Sequence, residues 1–315
     1  MEKLRRVTSQ EIAKALSRWD TPEIPPRASS GQTIEGKARV ANWLYDLVRQ
    51  NVKRGRIFQL RDVLIHQQAD CLGYAKLLRR LGQNFALNIG IVEVVIDNGG
   101  RHTPHYVNLI RLPSHRWQFM DLWYGSSNIR HRRIGAQVKE RGKWQTKDLD
   151  WDELEGVEDI RGLSPASVDG ITYYILGNRH LERGIRDTNS EELDTAIQHY
   201  TMAIYLYPGY ARAYFNRAIA YENKEEHQKA SLDYAQALKD ESSQIRVLAR
   251  EHEDVIRLME LDGANIEISG QEIYLLQKGF ITGEQIASAD VAKQRGIPAS
   301  EVDKIISAIE ARLSS

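Results

Sequence analysis

Cysteine occurs once in the 315 residues, at Cys71. The stretch Gln68 to Leu78 reads as a helix that starts at that cysteine, with Asp70 as its cap and Gly82, after Leu81, as its stop signal. A thiol in the first turn of a helix lies at the positive end of the macrodipole, which favours the thiolate, the nucleophilic form. A lone cysteine is also a common small core residue, so the chemistry depends on partners. His105 and Asp121 supply them, on neighbouring extended stretches downstream. A thiol, an imidazole to hold its proton and a carboxylate to orient the imidazole make a nucleophile for acyl chemistry.

The elements that must position these residues follow from local pattern. Thr8-Ser9-Gln10-Glu11 has capping-box spacing ahead of Ile12, Ala13, Leu16 and Trp19. A longer helix is expected from about Thr33 to Arg54, with Val40, Trp43, Leu44, Leu47 and Val48 at core spacing, then a short one from Leu60 to His66. After Gly82 the period becomes extended. Strands are expected over Phe85–Asp97, closed by the turn Asp97-Asn98-Gly99-Gly100, and over His105–Leu112 and Trp117–Leu122. Helices followed by an antiparallel meander make an α+β pattern. Alternation puts His105 on a face with Val107 and Leu109, and Asp121 on one with Trp117 and Phe119. A carboxylate on an aromatic face needs a partner, and the histidine of the adjacent strand is the natural one.

These residues resemble the transglutaminase-like, papain-related superfamily. The match is carried by Ala41–Val52, by Arg61-Asp62-Val63-Leu64 followed by Asp70–Ala75, by Leu81–Ala86, and by His105–Asn108 with Phe119–Gly125. The order agrees too: cysteine, histidine 34 residues on, aspartate 16 further. Ala69 stands where the family usually has glycine. The resemblance covers roughly 33–125 and implies a Cys71–His105–Asp121 triad acting on amide bonds. The Cys71 N–H would be one oxyanion donor, with Trp43, Gln67 and Gln68 as unranked candidates for a second. Water as acceptor would give a protease or amidase, an amine an acyltransferase.

From about Gly177 a 34-residue period pairs Gly184, Ala196, Tyr200, Ala203 and Pro208 with Ala218, Ala230, Tyr234, Ala237 and Ser242. It resembles tetratricopeptide (TPR) repeats, which implies recruitment of a protein or peptide partner, or a brace within the chain. The first helix of the earlier repeat fits poorly, with His180, Arg183 and Asp187 where apolar residues are expected. Ile245–Met259 is expected to cap the repeats. Near the end, Ser300-Glu301-Val302-Asp303 opens a helix with helix-turn-helix spacing, but its acidic start repels phosphate and argues against nucleic acid.

Formal net charge is zero, so no polyelectrolyte partner is implied. No apolar run reaches membrane length, and Met1–Asp20 lacks the apolar core of a signal peptide. No cofactor or metal is expected: His102 and His105 lack the further ligands of a closed zinc site. The basic run from Arg130 to Lys147 and the acidic one from Asp148 to Asp159 read as a solvated loop pair. The expectation is a cytoplasmic protein of three parts: an α+β papain/transglutaminase-like domain over 1–165 (core about 33–125), an all-α TPR-like region over 171–260, and a small helical domain over 262–315. Its expected activity is that of a cysteine hydrolase or acyltransferase. The alternative is a catalytically silent scaffold on the same fold.

Overall fold

A computed structural model describes residues 4, 6–20, 34–101, 104–112, 117–125, 129–157 and 159–239. Ile245–Met259, the 262–315 region and His102 lie outside the described residues. The chain divides into one compact unit over Glu2–Val168 and a second that begins at Asp169.

The first unit opens with α1 (Ser9–Leu16). Its capping box is formed, with Glu11 N–H donating to Thr8 Oγ1 at 3.2 Å and Thr8 N–H to Glu11 Oε2 at 2.8 Å. The helices α2 (Ile34–Asn51), α3 (Leu60–His66) and α4 (Cys71–Gln83) follow, with two-residue strands β1 (Lys53–Arg54) and β2 (Gln68–Ala69) between them. Strands β3 (Ile89–Ile96), β4 (His105–Arg111), β5 (Trp117–Met120), β6 (Arg133–Glu140) and β7 (Lys143–Asp150) then form an antiparallel sheet in the order β5-β4-β3-β6-β7. The short α5 (Trp151–Glu155) follows, and β8 (Ile160–Arg161) pairs with β6.

Helical and sheet periodicities meet in two apolar clusters. Val40, Leu44, Leu47 and Val48 of α2 join Leu77, Leu78 and Leu81 of α4 with Ile110 and Met120 of the sheet. A second cluster takes the alternating residues Val92, Val94, Val107, Leu109, Ile134, Ala136 and Val138. Burying a branched aliphatic side chain contributes about 1.5–3 kcal/mol, so a register slip of one residue, which would turn these positions outward, is strongly disfavoured.

Two local readings are corrected here. The charged stretch read as a loop pair is the β6–β7 hairpin, paired residue for residue from Arg133↔Asp150 to Glu140↔Lys143. Its two-residue turn, Arg141-Gly142, has positive φ at both positions (48° and 79°), as a primed turn requires. Ile134, Ala136 and Val138 alternate beneath the charges and decide the strand. Gly82 does not stop α4, which runs on through Gln83. A Cβ there would lie 2.4 Å from Ile89 Cδ1, so this glycine permits close approach of helix and sheet.

In the second unit, α6 (Pro165–Arg186, whose first residues belong to the first unit), α7 (Ser190–Leu206), α8 (Ala211–Glu222) and α9 (His227–Ala237) are joined by short turns. Ala196, Tyr200 and Ala203, and their counterparts 34 residues on, Ala230, Tyr234 and Ala237, are all fully buried. Gly177 makes room for the Tyr200 ring, whose Cε1 would lie 2.6 Å from an added Cβ. The polar residues that fitted the repeat poorly find partners instead: His180 Nδ1 lies 2.6 Å and Arg183 Nη1 3.4 Å from the Glu192 carboxylate, and Asp187 pairs with Arg186 at 2.8 Å. Among the described residues, no helix is long and apolar enough to cross a membrane.

Candidate active site

Cys71 is the first residue of α4, and its position is fixed from both sides. Upstream, β1 and β2 pair in parallel, Lys53 with Gln68 and Arg54 with Ala69. The Asp70 N–H donates to Ile57 O at 2.8 Å, and the Asp70 side chain accepts from the Gly73 N–H at 2.8 Å, capping the helix. Gly73 is forced by this packing, because a Cβ would stand 2.4 Å from Ile57 O. Downstream, the buried Asn108 of β4 donates to Ala75 O of α4 at 3.0 Å. The thiol accepts from the backbone N–H groups of Tyr106 and Leu72, which seats the sulfur beside the His105–Tyr106 step of β4.

Asp121 follows β5 directly, and every lone-pair direction of its carboxylate is used. Oδ1 accepts from the N–H groups of Trp123 and Tyr124, both at 3.0 Å. Oδ2 lies 2.7 Å from His105 Nε2 and 3.2 Å from His131 Nε2. All three side chains are buried. Burial alone would raise the Asp121 carboxyl, but the His105 and His131 hydrogen bonds and the Tyr124 N–H outweigh it and hold the group well below the usual carboxylate range. An ionised carboxylate only accepts, so each imidazole donates from Nε2. In neutral His105 the lone pair is then on Nδ1, where a base needs it. The Tyr124 ring meets His105 edge-on, with centroids 5.2 Å apart. Helix α2 braces the turn that follows: Tyr45 Oη donates to Asp121 O at 3.4 Å, and the Arg49 guanidinium fills the space beside Gly125, whose φ is 77°.

The thiol corrects the expectation drawn from the helix dipole. Burial pushes Cys71 up to about 12, and the charges of Asp70 and Asp121 add to the rise against the two N–H donors. The dipole is outweighed because the residue that caps the helix is itself an anion beside the sulfur. At neutral pH the group is therefore held as the thiol. Because the folded value exceeds the unfolded one of about 8.5, this group's stabilisation is complete below pH 8.5 and is lost as pH rises toward 12. Wild type is therefore expected to lose up to about 2 kcal/mol relative to Cys71→Ala between pH 8.5 and 10. Urea unfolding followed by tryptophan fluorescence checks this, since all six tryptophans lie in the first unit. A difference between the two proteins that stays constant over that range would refute it.

The structure brings Cys71, His105 and Asp121 into one neighbourhood. Trp43 of α2 packs edge-on against Phe85, centroids 5.6 Å apart. Gln67 and Gln68 directly precede the Ala69-Asp70-Cys71 step, and Gln67 sits in the left-handed region at φ 51°. His131 escaped the sequence reading. It lies among Arg130, Arg132 and Arg133, and nothing local marks it as buried. No protein-family model, curated protein or solved structure matches the chain.

Proposed function

We propose that the chain is a cysteine enzyme of transglutaminase-like type, acting on amide bonds of proteins or peptides, with its TPR-like helices serving to hold a protein partner or substrate. The observation that carries this reading is the buried Asp121–His105 pair at 2.7 Å on the strand whose next N–H reaches the Cys71 thiol. A structural cysteine has no use for a carboxylate-held imidazole one residue before the backbone N–H that reaches its thiol.

In this mechanism His105 Nδ1 takes the thiol proton as Cys71 Sγ bonds to the carbonyl carbon. The carbonyl π electrons move to oxygen, and the Cys71 N–H at the start of α4 donates to that oxyanion. Asp121 stabilises the imidazolium without taking its proton. Collapse of the intermediate breaks the C–N bond, and the imidazolium proton goes to the leaving nitrogen. The thioester is then opened by water, giving hydrolysis, or by an amine, giving transfer, with His105 again as base.

The raised thiol favours a second reading, a silent scaffold on the same fold, because a thiol that ionises only near pH 12 is inert without its base. Iodoacetamide labelling of Cys71 against pH separates the two. The enzyme reading expects alkylation to rise along a limb where imidazoles titrate, and His105→Ala to lower the rate at pH 7.5 about a hundredfold. A rate unchanged by His105→Ala in a folded protein would favour the scaffold.

A further inference from the structure

His131 is a buried group that the triad does not use. It is 1% exposed, its Nε2 shares Asp121 Oδ2 with His105, and its Nδ1 has no hydrogen-bond partner among the described residues. Its ring packs edge-on against Phe119, centroids 5.0 Å apart, and against His105 at 5.8 Å. An apolar ring would fill the same space but could not donate to Asp121. Packing therefore does not account for a histidine here, whereas the hydrogen bond to Asp121 does.

We propose that His131 is a positioning residue that divides the Asp121 carboxylate between two imidazoles, tempering the pull on His105 of the carboxylate that holds it as its Nε2–H tautomer. The inference rests on the cysteine–histidine reading of the site. Its physical basis is the shared oxygen. Each N–H···O⁻ bond to Oδ2 draws negative charge toward its own donor, so two donors leave less for either. The His105 Nδ1 lone pair, on the ring edge away from Asp121, is the one that would receive the thiol proton.

A metal ion is the rival occupant, since His105, Asp121 and His131 bring one ligand atom each within 4.8 Å of one another. Two features favour the hydrogen-bonded trio. The 2.7 Å His105–Asp121 separation is that of a charge-assisted hydrogen bond. A metal-bound histidine normally anchors its second nitrogen on an acceptor, and His131 Nδ1 has none among the described residues.

The test is the pH profile of Cys71 alkylation by iodoacetamide in full-length wild type, His131→Phe, His131→Gln and His105→Ala, each checked for folding by thermal melting. Loss of the second donor is expected to move the alkylation limb of His131→Phe up by about one pH unit, lowering the rate below the limb about tenfold. His131→Gln, which keeps an N–H donor, is expected to move it back toward wild type. A purely structural role would change stability and leave the limb in place. Nitrogen-15 NMR of the wild-type imidazoles is a second readout that needs no variant: Nε2–H on both rings and a bare Nδ1 on His131 are expected. A limb that stays or moves down in folded His131→Phe, or a proton on His131 Nδ1, overturns the proposal. So does a wild-type limb that shifts after dialysis against a chelator, which would assign the trio to a metal. A wild-type profile matching His105→Ala would instead remove the cysteine–histidine reading, and the role of His131 with it.

Discussion

Asp121→Ala is expected to destabilise the first unit by about 3–5 kcal/mol at pH 7, the range found when one partner of a buried charged network is deleted. The substitution leaves the Trp123 and Tyr124 N–H groups and the Nε2 donors of the buried His105 and His131 without their acceptor. Urea unfolding read by tryptophan fluorescence measures the loss in this unit alone. The effect depends on pH in a defined direction. The folded carboxyl is held below its unfolded value of about 3.9, so its stabilisation is present above that pH and disappears as pH falls through the lower, folded value. The gap between wild type and Asp121→Ala should therefore narrow below pH 4. A loss under about 1 kcal/mol at pH 7 would mean that the four contacts do not act together. The same variant should lose the imidazole limb of Cys71 alkylation, because His105 is then free to adopt either tautomer.

Gly73→Ala is the second large effect expected, at about 3 kcal/mol and with a displaced nucleophile. Alanine is normally the better helix former, so a surface argument predicts stabilisation. Here the added Cβ would meet Ile57 O at 2.4 Å, Val63 Cγ2 at 3.0 Å and Ala69 Cβ at 3.2 Å. The first contact is with backbone, which cannot turn aside as a flexible side chain can. The same Ile57 carbonyl accepts the Asp70 N–H, so relief of the clash pulls on the cap of α4 and on the residue before Cys71. Overpacking of this kind lies at the upper end of the usual 1–3 kcal/mol range. Urea unfolding measures the stability, and the Cys71 alkylation rate should change with it. A stable variant with wild-type reactivity would show that the α4 start is not locked as described.

Local signals carried much of this architecture. The Thr8 capping box, the Asp70 cap and the short helix Leu60–His66 rest on interactions within a few residues, and alternation marks the strands around His105 and before Asp121, so periodicity and capping chemistry suffice to find them. The 34-residue spacing of Ala196, Tyr200 and Ala203 with Ala230, Tyr234 and Ala237 likewise marks positions that are all buried. Charge misled where it lay over a weaker alternation, as in β6 and β7. There sheet pairing with β3 decides the strand, and only the inward Ile134, Ala136 and Val138 record it.

The amino-acid sequence by itself determined which side chains are available for acyl chemistry and the elements that carry them. The tertiary structure decided their state. His131 joins Asp121 in a contact between residues ten apart that no helical or strand period encodes. The helix start alone favours a thiolate at Cys71, but the dipole is a local field of modest size. Burial against β4, with the Asp70 and Asp121 charges nearby, is set by every element that closes over the sulfur, and that larger effect raises the thiol to about 12.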